Sequence, residues 1–179
     1  MGSADKAMAL LAGRPLLAHV HARFAPQVER LALSANGDPA RFADVDLPVL
    51  PDTDPKGPLS GILQSLLWAA SHGATAVVSV PVDGPFLPPD LVSRLCLAAE
   101  PTGLALAASN STWHPTYGLW PVALAPALTA FLASGAKTRV RDFALSHHTG
   151  IATFPDDRAF ANANTPEDLI RLSAFLAAP

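Results

Sequence analysis

Cysteine is almost absent from this chain. Cys96 is its only one, which excludes an intrachain disulfide and a thiolate metal cluster. Charge is sparse too, at 15% of residues with a formal net charge of −3. That balance argues against a protein that lives on nucleic-acid backbones, and it leaves room for a local basic site only. No apolar run reaches membrane-spanning length, and the N-terminus lacks the basic-then-apolar layout of a secretion signal. A cytoplasmic protein with no membrane partner is expected. Internal repeats and low-complexity linkers are missing as well.

What is present is apolar. Half the residues are hydrophobic, and the length suits one domain spanning residues 1–179 with a substantial core. Short apolar runs at Leu31–Ala35, Leu47–Leu50, Val77–Val80, Leu104–Ala108 and Ile151–Phe154 predict strands, and His114–Trp120 predicts a further one. Helices are predicted from Leu16 to Phe24, across Ile62 to Ala70, from Leu91 to Leu97, from Pro121 to Ala133, from Arg139 to His147, and after Thr165. Thr165 reads as an N-cap, with Pro166 at the first helical position and acid in the first turn. Cys96 lies in an apolar helical run, which predicts a buried structural thiol. Strands alternating with helices predict an α/β fold with a mainly parallel sheet covered on both faces.

The stretch from Val77 to Asp90 organises the rest. A β-branched run ends in one carboxylate, Asp83, and Gly84 and Pro85 then break the strand. In open α/β sheets ligands sit beyond the carboxyl ends of strands. An Asp there can hold a divalent cation against a phosphate, or it can simply be a solvated turn residue. The strand end at Asn36 and the segment from Asp52 to Gly61 carry small or polar residues in equivalent places. Three such ends on one sheet edge would make a ligand crevice.

Several segments then resemble a known family, in order and rough spacing. They are Met1 to Lys6, Leu11 to Leu17, Pro51-Asp52, Gly57-Pro58-Leu59-Ser60-Gly61, Pro81 to Phe86, His114-Pro115-Thr116 and Asn162 to Leu169. Together they resemble the molybdenum cofactor guanylyltransferases over nearly the whole chain. The resemblance implies a three-layer α/β/α Rossmann-like nucleotidyltransferase fold. It also implies transfer of GMP from Mg-GTP to molybdopterin or its molybdenum-loaded form, with release of pyrophosphate. Mg²⁺ is the implied cofactor; GTP and the pterin are the implied partners, with other cofactor-biosynthesis or acceptor proteins as further ones. Lys6 and Asp83 would be catalytic, Asp83 holding the metal. Asn36, Asp52, Pro58, Leu59 and Gly61 would contact the nucleotide beside Lys6 and Asp83. His114, Asn162 and Asn164 would face the pterin.

The match has departures. Family members open with an apolar strand and a glycine-rich loop just before the Met-Gly that begins here, and this sequence has neither. The resemblance therefore implies a chain lacking a central strand and a phosphate-wrapping loop, through an internal Met taken as the start or through genuine loss. Weak GTP turnover and exposed strand edges that favour self-association are expected on that basis. Val82 stands where the family commonly has Cys, and Gly84 where it commonly has Thr.

Each residue also has a plainer reading. Lys6 could be a solvated turn lysine, Asn36 and Asp52 strand-end caps, and His114 a strand terminator. His147-His148 lacks a third ligand at metal spacing and reads as a surface pair. Two other functions stay open: a different small nucleotidyltransferase, cytidylyl- or sugar-phosphate-directed, and a catalytically idle relative that binds a pterin or a partner subunit.

Overall fold

The computed structural model describes residues 6–52, 57–110, 112–135 and 139–177. Met1–Asp5, which begins the first matching segment, lies outside the described residues.

A short hairpin of β1 (Leu10–Leu11) and β2 (Arg14–Pro15) leads into α1 (Leu16–Phe24). Next come β3 (Leu33–Ser34) and β4 (Val49–Leu50), paired in parallel. Helix α2 (Pro58–Ser71) leads to β5 (Ala76–Ser79), and α3 (Leu91–Ala99) to β6 (Ala105–Ser109). The chain continues through β7 (Thr112–Pro121), α4 (Ala125–Ala133), α5 (Val140–Leu145), β8 (Gly150–Phe154) and α6 (Pro166–Ala177).

The larger sheet has the order β5-β7-β6-β8. It is a mixed sheet in which the mainly parallel expectation holds for strand direction: β5, β6 and β8 run the same way, and β7 is the reversed strand. Only β6 and β8 pair in parallel, while β7 runs antiparallel to both β5 and β6. The cause is local. Ser109 pairs with Thr112 across a tight turn containing Asn110, whose φ is 42°. A turn that short can only reverse the chain, whereas parallel strands need a long crossover.

Two apolar layers enclose this sheet. On one face Leu91, Leu95 and Ala99 of α3 pack with Val20 and Phe24 of α1 and with Ala105, Ala107, Tyr117 and Leu119. On the other, Leu59, Ile62, Leu63 and Leu66 of α2 join Leu128, Phe143, Leu106 and Trp120. The spacing of Leu91, Leu95 and Ala99 gives α3 one inner stripe. Cys96 falls outside that stripe and is exposed, which corrects the expected buried thiol.

Pro15 stands at the N-cap of α1 and Asp90 at that of α3. Thr165 caps α6 as read: its Oγ1 accepts from Asp168 N at 3.1 Å, and Asp168 Oδ2 accepts from Thr165 N at 3.0 Å.

β3 and β5 belong to separate sheets. β3 pairs with β4 and β5 with β7, and among the described residues no strand lies between β3 and β5. Leu31, Ala32, Val77 and Val78 border two adjoining cavities there, of about 560 and 540 Å³. Phe24 of α1 and Ser65 of α2 line both cavities.

Candidate active site

The first of these cavities reaches the carboxyl ends of the strands, where Asn36, Asp52 and Asp83 all line it. Each residue is placed by the strand before it. Asn36 follows β3, whose ladder extends through Ala35 N donating to Leu50 O. Asp52 follows β4, and its backbone N–H donates to Asn36 Oδ1 at 3.2 Å, tying the two ends together. The guanidinium of Arg41 also donates to the Asn36 carbonyl. Asp83 stands beyond β5, where Gly84 N donates to Pro81 O in a turn.

Helix α2 brings its amino end to the same place. Gly57, Pro58 and Gly61 line the cavity, and a helix N-terminus carries partial positive charge. A Cβ at Gly61 would lie 2.7 Å from Ser34 Oγ, so glycine lets α2 approach β3 this closely. Leu59 is placed differently from the rest of its segment. Its side chain is fully buried in the α2 core, so only its backbone could meet a ligand.

Lys6 reaches Asp83 from a 3₁₀ turn, Lys6–Met8. Its Nζ lies 3.5 Å from Asp83 Oδ2 and donates to Asn164 Oδ1 at 2.6 Å. Lys6 is 41% exposed and Asp83 15%, so the cation is accessible while the carboxylate is largely enclosed. Ala163 N donates to Asp83 O at 2.9 Å, which holds the Asn162–Asn164 segment against the Asp83 turn. Asn162 lines the cavity and Asn164 meets Lys6; both belong to this rim.

His114 is not brought to this cavity. Its Nε2 meets Ser109 Oγ at 2.6 Å, its ring stacks on Phe160 at 4.2 Å, and Ser109 in turn donates to Asp157 Oδ1. Burial lowers the imidazole pKa, partly opposed by the nearby Asp157 charge. Asp157 is held below the usual carboxylate range by hydrogen bonds from Ser109 and then Asn110. The plainer reading of His147 fits its surroundings, where Nδ1 meets Phe143 O at 2.9 Å.

Tyr117 is the neighbour that sequence reasoning missed. Between Leu106↔Gly118 and Ala107↔His114 the β6–β7 register shifts, so Pro115, Thr116 and Tyr117 bulge from β7. Pro115 has no N–H for a ladder bond, which suits a bulge. The bulge carries Thr116 to the cavity wall and Tyr117 beneath the Asp83 turn. Burial first, and the Asp83 charge second, push the Tyr117 phenol up, so it is present as the hydroxyl. A proline inside an otherwise strand-like run was the available signal.

One enclosed carboxylate beside an accessible ammonium, at a strand-end cavity, is a donor set for phosphate and a hard divalent cation. Mg²⁺ takes one or two protein carboxylates and completes its shell with water and substrate phosphates. Asp83 fits that habit. Among the described residues no group of three His, Cys, Asp or Glu could hold a metal unaided.

The sequence model of the MobA-like NTP transferase domain matches residues 1–162. The chain belongs to that family. A molybdenum cofactor guanylyltransferase of Cereibacter sphaeroides is 54% identical over 98% of this chain and 90% of its own length. A second, from Bradyrhizobium sp. (strain ORS 278), is 51% identical over 94% of this chain and 84% of its own. The fold of this MobA-like chain also resembles the molybdopterin-guanine dinucleotide biosynthesis protein A of Archaeoglobus fulgidus. That likeness has a TM-score of 0.72 at 17% identity, over 98% of this chain and 92% of the other. The 4-diphosphocytidyl-2C-methyl-D-erythritol synthase of Anaerococcus prevotii has the same fold, with a TM-score of 0.76 at 14% identity over 98% and 93% of the two chains. The chain is thus an α/β nucleotidyltransferase fold with a mixed sheet.

Proposed function

We propose that this chain transfers GMP from GTP to the terminal phosphate of molybdopterin or its molybdenum-loaded form. The observation that carries the reading is the Lys6–Asp83 pair, 3.5 Å apart, at a cavity that also gathers Asn36 and Asp52. The relatives' names supply the base and the acceptor.

In the reaction an oxygen of the acceptor phosphate attacks the α-phosphorus of GTP. A new P–O bond forms, the bond to the β-phosphate oxygen breaks, and pyrophosphate leaves. The acceptor is already an anion, so no general base is required. Negative charge builds on the α-phosphate oxygens, and the Lys6 ammonium lies close enough to the rim to offset it. Asp83 would hold Mg²⁺, which when bound neutralises phosphate charge and draws the triphosphate into line. Asn36 and Asp52 border the nucleotide, and the amino end of α2 adds positive potential beside it. Asn162 and Asn164, pinned to the Asp83 turn, bound the acceptor side. Their segment and the Lys6 contact hold the two substrates' phosphates near one point. His114, bonded to Ser109 and away from the cavity, takes a structural role in this reading.

No helix among the described residues is long and apolar enough to cross a membrane, and we place the activity in the cytoplasm. The test is calorimetric titration with GTP and with CTP, each with and without Mg²⁺. GTP preference that depends on Mg²⁺ is expected. Preference for CTP, or binding of neither, would sink the proposal.

A further inference from the structure

The residue after Asp83 has no side chain, and the space beside it is taken. A Cβ at Gly84 would lie 1.8 Å from Tyr117 Oη, 3.0 Å from Tyr117 Cζ and 3.2 Å from Asn162 Oδ1. No real Cβ tolerates the first of these distances, and the ring that imposes it cannot easily retreat. Tyr117 is 1% exposed and packs edge-on against Phe160, with ring centroids 5.0 Å apart.

The same two oxygens stand out for a second reason. Tyr117 Oη and Asn162 Oδ1 are the buried side-chain atoms among the described residues that have no hydrogen-bond partner. One is a hydroxyl able to donate, the other a carbonyl able only to accept. Buried polar groups are nearly always paired, so two complementary orphans beside one glycine mark a contact that closes on a small movement. Both flank the position a Cβ would take at Gly84, in the Asp83 turn. That turn is already tied to the Asn162 segment through Ala163 N and Asp83 O, and through Lys6.

We propose that Tyr117 is a positioning residue for Asp83: from the β7 bulge its ring fills the room of a side chain at position 84, and its hydroxyl bonds Asn162 Oδ1 when nucleotide binds, clamping the Asp83 turn. This rests on the nucleotide-binding role given to Asp83 above. Tyr117 touches neither substrate nor metal. It acts by limiting how far the Asp83 carboxylate can swing.

Steric coupling is tested first, by thermal unfolding of Gly84→Ala, Tyr117→Phe and the double variant. Gly84→Ala should lower Tm sharply. Tyr117→Phe should lower it slightly alone, yet raise it in the Gly84→Ala background, because the worst contact is with the hydroxyl oxygen. Additive changes would overturn the coupling. Positioning is tested by the Mg²⁺ concentration needed for half-maximal GTP binding. Tyr117→Phe should raise it about three- to tenfold, the range expected for one neutral hydrogen bond. A lowered Tm with an unmoved Mg²⁺ requirement would make the tyrosine merely structural and overturn the proposal. Failure of the wild-type chain to bind Mg-GTP would instead bring down the reading of Asp83 itself, and the clamp with it.

Discussion

The four-stranded sheet and the β3–β4 pair are made of similar apolar material but are consolidated to different degrees. In the β5-β7-β6-β8 part, β6 is paired on both sides and all its residues from Ala105 to Ser109 are buried. In the β3–β4 part Leu33 is the one buried strand residue, and the outer rim is loop and 3₁₀ turn. The candidate chemistry lies along the boundary between them, with Asn36 and Asp52 on the looser side and Asp83 on the firmer one. Segments with few buried contacts open at lower free energy than a paired core. In the proposed reading, nucleotide contacts at that boundary let one wall adjust while the carboxylate stays referenced to a rigid sheet.

That contrast can be broken by measurement. The largest effect is expected from Trp120→Ala, which empties the firm core and removes the indole N–H donated to Ser79 Oγ at 2.9 Å. Urea unfolding should show a loss of about 3–5 kcal/mol. Leu33→Ala in the looser part should cost only about 2 kcal/mol, the low end for such truncations. Equal losses would erase the distinction between the two parts.

Asp83→Ala should come next, weakening Mg-dependent GTP binding by about ten- to hundredfold, as expected for loss of a charged contact, with Tm little changed. Retained Mg dependence would remove the metal role. Lys6→Ala should weaken GTP binding by about tenfold or less, because its ammonium is partly exposed and screened, and should flatten the salt dependence of the Kd. No change in either would return Lys6 to the surface.

The smallest effect concerns the firm side. Burial lowers the His114 pKa below its ordinary 6.5. The unfolded chain therefore takes up this proton first as pH falls. Stability should decline as pH drops from 6.5 toward the folded-state value and level off beneath it. His114→Gln should reduce that decline in urea midpoints measured from pH 7 to 5. An unchanged slope would show that His114 titrates alike in both states.

Much of this could be read before any coordinates. The strand–helix order, the cap at Thr165, and the convergence of Asn36, Asp52 and Asp83 follow from runs of apolar residues and the breakers between them. Such signals are local: a strand end and a turn residue are written within a few positions of each other. The one reversed strand, β7, was not legible because alternation reports burial and not strand direction, which the short turn at Asn110 set. Cys96 was misplaced because an apolar run was read without its helical phase. His114 was carried over with its segment, and a segment does not say which way a side chain points.

By itself the sequence determined the inventory of elements and the carboxylate at the end of a strand, because hydrophobic period and turn chemistry act over short spans. Only the tertiary structure decided which strand ends share a cavity, that Lys6 meets Asp83, and that Tyr117 occupies the space beside Gly84. Those facts join residues far apart in the chain, and it is the packing of rigid elements around common cores that brings them within a few ångströms.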